Sequence, residues 1–262
     1  MATRAPLQFE TRTVDELTID DERSFRGIAL YGDLKEVLRR GKYPFRLLPS
    51  ALDGRWDRAV LLNLTYWGAE AGGDVLVGGL DADVLTHAAW HHHAATALPR
   101  VNGVSSADAM FFGEAIASAF DAYMVGRLLG CAPEATFLAT QVPAMSDAAA
   151  ATGLSEEAFE ALVTAMADAP EGSFEELREL LYDATRALYA APDAATAMNA
   201  LAAFDDRRFA PLLHHYELSN WVLYARAYGD AAPDPRAAEL DAALRAAKDG
   251  ALDLLTKRWL SS

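Results

Sequence analysis

The sequence predicts a mostly α-helical fold with a small β element, and three observations lead to that prediction. Apolar residues recur at helical spacing through nearly all of the chain after residue 80. Most of these segments begin at Ser or Asp and end at Gly or before Pro, the residues that start and stop helices. Short apolar runs of the kind that forms strands occur only at 58–67 and 75–79.

The N-terminal part is expected to contain one or two helices followed by a loop. Residues 13–41 carry the helical pattern, with Thr18 or Asp20 as the first cap and Gly41 as the stop. Residues 42–57 are interrupted by prolines and a glycine and predict a loop. The two strand-like runs then follow and are expected to pair, although two strands are stable only when they pack on helices.

After residue 80 the chain is expected to be helical almost throughout. The expected helices are 81–98 after an Asp cap, 105–130 beginning at Ser105 or Ser106, 154–169 with a Ser155 cap, 173–190 with a capping box from Ser173 to Glu176, 193–204, 209–229 and 234–260. Residues 229–236 are the clearest linker. We expect one unit of three parts: an N-terminal helical segment (1–57), a core (58–130) and a C-terminal helical region (131–262).

Composition excludes several classes of partner and location. Of the 262 residues, 52% are hydrophobic and 23% are charged, which is typical of a globular protein. The net charge of −15 repels phosphate backbones and anionic lipid, so neither nucleic acid nor membrane is expected as a partner. A single cysteine, Cys131, and the lack of a secretory leader favour a cytoplasmic location.

Four of the six histidines lie in one short segment, 85–98. His87 and His91 are one helical turn apart, so their rings share a face and can converge on one ion. His92 and His93 point about 100° and about 200° away from His91. The sequence therefore predicts His87 and His91 as a metal-chelating pair and assigns no role to His92 and His93.

The next helix offers the third ligand that a catalytic zinc site usually takes. Glu114 stands in an otherwise apolar run, where a carboxylate is costly to bury unless a cation meets it. Asp121 follows two turns later on the same face. It is expected to hold the outer nitrogen of a ligating histidine in place.

This pattern resembles the gluzincin, or thermolysin-like, metallopeptidases over residues 58–123. In that family a helix carries His-Glu-x-x-His, a strand runs ahead of it, and a second helix supplies a glutamate ligand. The resemblance implies a zincin-like core at 58–130, with His87, His91 and Glu114 as the metal ligands. Asp121 is a loose match to the family's nearby acidic residue, since Ser118 stands closer to the family's position.

The pattern departs from the family at Ala88, where gluzincins have the glutamate that takes a proton from the metal-bound water. Alanine cannot act as that base. Gluzincin-like sites also often contain a late His or Tyr that donates to the oxyanion. The resemblance implies that role for His215 or Tyr216, and leaves His214 unassigned.

The function expected is that of a metal-dependent enzyme on a zincin-like scaffold, acting on a peptide or amide-type substrate, or another small molecule. Zinc is the expected ion, and iron is the alternative because two histidines and a carboxylate also suit non-haem iron. The second hypothesis is an inactive zincin-like protein that binds a peptide or protein partner. A ferritin-like di-iron bundle needs Glu-x-x-His, which the sequence lacks, and a helical interaction domain without an ion stays open.

Overall fold

Most of the chain is helical and short strands form a small β element, as the sequence predicts. This computed structural model describes residues 9–47, 75–76 and 78–260. The strands are β1 (Glu10–Arg12), β2 (Ile19–Asp20), β3 (Phe45–Leu47), β4 (Val75–Leu76) and β5 (Leu80–Asp81). The helices are α1 (Glu22–Phe25), α2 (Ala29–Arg40), α3 (Ala82–Ala97), α4 (Ala107–Cys131), α5 (Thr136–Ala151), α6 (Glu156–Asp168), α7 (Pro170–Ala190), α8 (Ala194–Ala202), α9 (His215–Tyr228), α10 (Pro235–Ala247) and α11 (Ala251–Leu255), which continues into a π-helical turn at Thr256–Leu260.

The strands form two small sheets that differ in detail from the prediction. β3 pairs antiparallel with β1 and parallel with β4, while β2 pairs parallel with β5. The predicted loop over 42–57 is wrong at β3, which begins directly after Pro44, where the missing N–H removes no ladder bond. Among the described residues of the run at 75–79, β4 alone is extended, and the predicted strand at 58–67 lies outside the described residues.

Several helix boundaries follow from local capping. Asp81 precedes α3, and the hydroxyl of Ser106 accepts a hydrogen bond at 3.0 Å from a backbone amide in the first turn of α4. Ser155 caps α6 in the same way at 3.2 Å. The predicted capping box at Ser173 is wrong: α7 already begins at Pro170, a residue favoured in the first turn, and Ser173 is buried inside the helix.

Other predicted helices differ in extent. The sequence does not single out α5, whose internal Pro143 interrupts the helical pattern. The expected helix over 209–229 begins only at His215, after a 3₁₀ turn at Ala210–Leu212. The expected helix over 234–260 is broken at Lys248, which has a left-handed φ of 50°. No helix in the described part of the chain is both long enough and apolar enough to cross a bilayer.

The hydrophobic core is centred on α4, which packs against α3, α6 and α7. Two glycines let its neighbours approach closely. A Cβ on Gly126 would lie 2.3 Å from the carbonyl oxygen of Met166 in α6, and a Cβ on Gly113 would lie 3.2 Å from Cβ of Ala94 in α3. The close contact between α3 and α4 brings the histidine segment beside the acidic residues of α4.

Candidate metal centre

The predicted histidine pair lies on one face of α3. His87 and His91 are one turn apart, and their ring centroids are separated by 4.9 Å. The Nε2 atoms of the two rings face each other at 3.1 Å. Both rings are partly buried. The helix therefore brings two imidazole nitrogens to one point, as the i, i+4 spacing predicts.

Glu114 reaches the same point from α4. Its Oε1 lies 3.3 Å from Nε2 of His91, and the residue is only 5% exposed. One ligand atom from each of His87, His91 and Glu114 lies within 4.8 Å of the others, so the three residues can hold a metal ion. Bonds of about 2.0–2.1 Å at tetrahedral angles would place neighbouring ligand atoms about 3.3–3.4 Å apart. The two measured separations are close to that value.

Asp121 lies beside the outer edge of His87. Its Oδ2 is 3.2 Å from Nδ1 of His87, which allows Nδ1–H to donate to the carboxylate. This hydrogen bond places the remaining lone pair on Nε2, the atom that faces His91 and Glu114. The predicted role of Asp121 as the residue that orients a ligating histidine therefore fits the observed contact.

Nε2 of His91 lies between two groups that can accept its proton or bind a cation. With the Nδ1–H of His87 directed to Asp121, Nε2 of His87 is an acceptor, and Glu114 is an acceptor as well. A neutral His91 has at most one Nε2–H to give, so it cannot donate well to both. A cation would be attracted to all three atoms at once.

Burial favours the neutral, metal-binding form of His91. Desolvation, followed by the neighbouring His87, lowers the pKa of His91 to about 3. The His91 side chain is 27% accessible, but its ring is enclosed by protein on most sides, so burial is the main cause of the lowered pKa. Burial, with the nearby Asp121 and Asp81, raises the pKa of Asp83 at the start of α3 to about 6.

A cleft of about 490 Å³ opens onto the centre. Its polar wall includes His87, Glu114, Ser118, Asp121, His214 and Glu217. Leucines of α7 and Trp221 of α9 supply much of the apolar wall. A volume of this size is in the range of small-molecule sites, and the cleft contacts His87, Glu114 and the start of α9.

His214 lies on the cleft, whereas its two successors do not line it. Tyr216 is 70% exposed, and the catalytic roles expected of His215 and Tyr216 stay predictions. His214 caps α9, with Nδ1 accepting the backbone N–H of Glu217 at 3.3 Å. That bond leaves Nε2 of His214 as the N–H donor of the ring. No sequence signal indicated this role, because His214 falls inside the helix predicted over 209–229.

Ala88 points into the hydrophobic core. It is 1% exposed and does not line the cleft. A glutamate at this position of α3 would be buried among apolar side chains rather than directed at the ion. The position that supplies the base in gluzincins therefore has no access to the centre here.

The donor set determines which chemistry the centre can support. Two imidazole nitrogens and one carboxylate leave coordination positions open for water or substrate, as in catalytic zinc and non-haem iron sites. Glu217 is a further carboxylate on the same cleft, and sequence reasoning did not identify it.

Comparisons of this chain with known protein families, with curated proteins and with solved structures find no match.

Proposed function

We propose that this protein is a metal-dependent enzyme whose ion is held by His87, His91 and Glu114. The single observation that carries the proposal is the convergence of these three ligand atoms within 4.8 Å at the wall of a cleft. Structural zinc sites are closed by four protein ligands, whereas a three-ligand site keeps a position for reacting molecules.

The proposed ion is zinc, with iron as the alternative. The separations of 3.1 and 3.3 Å suit zinc with two histidines and a glutamate. Bound there, zinc would polarise a carbonyl and activate a water molecule. Iron would use the same three residues for oxygen chemistry, so the metal content of protein purified without oxygen separates the two.

The proposed substrate class is a peptide or another small amide that fits the cleft. His214 Nε2–H would donate to a carbonyl oxygen at the cleft, and Glu217 would serve as the base that Ala88 cannot provide. The likeness to gluzincins supports the three ligands and Asp121 but does not extend to position 88. The proposed reaction therefore uses the family's ligands with a different base.

The first experiment measures the metal in protein purified without a histidine tag or chelator. We expect about one equivalent of zinc or iron per chain. His87→Ala and Glu114→Ala should each remove it, because two remaining ligands bind weakly. His92→Ala is the matched control on the same helix and should keep the ion. Protein that is metal-free, or ligand variants that keep the ion, would refute the proposal.

A second candidate function is a metal-bound protein that binds a peptide or protein partner without turning it over. Ala88 favours this second function, because an alanine buried at this position leaves the site without the base that gluzincins use. Turnover of a peptide and amide library by the metal-loaded protein separates the two. If the wild type hydrolyses a substrate and Glu217→Gln loses this activity while keeping the ion, the protein is an enzyme. If the metal-loaded protein hydrolyses nothing, the binding function is favoured.

A further inference from the structure

A second cavity, of about 660 Å³, lies beside a different face of α3 from the metal centre. It is lined by the end of α2, by His92 and His93 of α3, by α10 and by the π-helical turn after α11. Its apolar lining includes Val37, Leu240 and Trp259. A volume of this size with a mainly apolar wall and a few polar groups is typical of small-ligand pockets. Short π-helical segments also occur frequently at functional sites.

The charge of the cavity wall is opposite to that of the whole chain. Three guanidinium groups and one carboxylate, that of Glu239, line it, in a protein of net charge −15. Arg236 pairs with Asp234 at 2.6 Å, and Arg40 pairs with Glu36 at 3.1 Å. Arg258 is exposed and makes no ion pair within residues 9–47, 75–76 and 78–260. The cavity wall therefore carries more guanidinium groups than carboxylates.

A buried polar atom at the same cavity also lacks a partner. His93 is 9% exposed, and its Nε2 makes no hydrogen bond within the described chain. Nε1 of the neighbouring Trp90 is also without one. The ring of Trp259 stacks on His93 with centroids 6.2 Å apart. Since nearly all buried polar atoms in native proteins are paired, the unpaired Nε2 of His93 on the wall of this cavity indicates a missing polar group.

We propose that this cavity binds a small carboxylate with an apolar body. The carboxylate is shared by the guanidinium of Arg258 and by Nε2 of His93, and the apolar body lies against Trp259, Leu240 and Val37. Arg258 and His93 both line the cavity, and Arg258 directly precedes Trp259, whose ring lies on His93. The histidine run thus serves two sites, with His87 and His91 at the ion and His93 at the second cavity.

Calorimetric titration of the full chain with octanoate, and with octanamide as the neutral control, tests this site. We expect one octanoate per chain, bound at least tenfold more tightly than octanamide, because only the carboxylate gains the charge-assisted hydrogen bonds. Equal binding of the two probes, or no binding of octanoate, would overturn the proposal.

Two variants then locate the carboxylate. Arg258→Gln should weaken octanoate about tenfold and leave octanamide unchanged. Arg23→Gln makes the same charge change at an exposed position away from the cavity and should alter neither affinity by more than about twofold. His93→Phe keeps the ring stacking without Nε2 and should also weaken octanoate alone. Equal losses of octanoate affinity in Arg258→Gln and Arg23→Gln would contradict the placement of the carboxylate at Arg258. The zinc content of each variant is measured as well, so that a failure of the metal centre can be told apart from a failure of this site.

Discussion

At the scale of single residues, the contact between His87 and Asp121 determines how well the centre is organised. The Nδ1–Oδ2 distance of 3.2 Å fixes one tautomer and one ring orientation. Oδ1 of Asp121 is buried and has no hydrogen-bond partner among the described residues, so the contact of this carboxylate with His87 is made by Oδ2.

Asp121→Asn should weaken metal binding by about 10–100-fold, the usual effect of removing a carboxylate that orients a ligating histidine. The amide keeps the size of the side chain but loses the charge that supports the imidazole. Competition with a coloured zinc chelator measures the affinity. Ser118→Ala changes another residue of the same cleft wall and should leave the affinity within about twofold. Equal losses in the two variants would argue against an orienting role.

Ala88→Glu should destabilise the protein by about 3–5 kcal/mol, because a carboxylate would be buried in the core without a partner. If position 88 instead faced the ion, as in gluzincins, the same change would create a base and raise peptide hydrolysis. Urea unfolding and a peptidase assay measure both properties. Ala95→Glu, on the exposed side of α3, is the control and should change stability by less than about 0.5 kcal/mol.

Asp83 should make the metal-free protein less stable as the pH rises through about 6. Burial raises the pKa of its carboxyl group to about 6 in the folded state, above the ordinary value of 3.8. The folded state therefore holds the proton more tightly, and this contribution is full below about pH 4 and lost as the pH passes about 6. Asp83→Asn has no carboxyl group to titrate at this position. The free energy of unfolding of the variant, compared with that of the wild type, should therefore rise as the pH increases from 4 to 7. Urea unfolding across this range that shows parallel curves for both proteins would contradict the prediction.

At the scale of elements, the centre depends on how closely α3 approaches α4. Gly113 stands next to Glu114 and faces Ala94, so the backbone of α4 comes close to the histidine helix. The distance between His91 and Glu114 is set by this contact rather than by either helix alone. Small residues at the contact therefore matter as much to the centre as the ligands.

Gly113→Ala should lower both stability and metal affinity. The added Cβ would lie 3.2 Å from Cβ of Ala94 and 3.8 Å from Nδ1 of His91, so the helices must separate slightly. Overpacking of this kind costs about 1–3 kcal/mol. Gly130→Ala is the matched control, since a Cβ there meets nothing within 4 Å and alanine favours the helix. A thermal melt and a zinc titration of both variants check the prediction; a Gly113→Ala protein with unchanged zinc affinity would contradict it.

At the scale of the whole molecule, metal binding should be linked to folding. A ligand that binds only the folded state at 100 times its Kd stabilises by about 2.7 kcal/mol. For a chain of this size, that corresponds to a rise in Tm of about 5–10 °C. Thermal melts with zinc and after chelation measure the shift. His87→Ala should show no zinc-dependent shift, and an equal shift in both proteins would place the ion elsewhere.

Much of the fold could be predicted because its elements obey local rules. Asp81 stands at the N-cap position of α3 and Ser106 caps α4 through its hydroxyl, and both helix starts lie where the sequence predicts them. One element that the sequence did not predict depends on distant segments: β3 is a strand that pairs with both β1 and β4. Strand pairing of this kind is set by tertiary context.

The sequence by itself determined the helical class and the shared face of His87 and His91, because the period of a helix fixes which residues lie together. Only the tertiary structure decided that Glu114 meets His91, that His214 rather than its successors lines the cleft, and that His93 faces a second cavity. The physical reason is that periodicity describes one helix at a time. The distance and rotation between helices depend on which side chains pack at their contact, here Gly113 against Ala94.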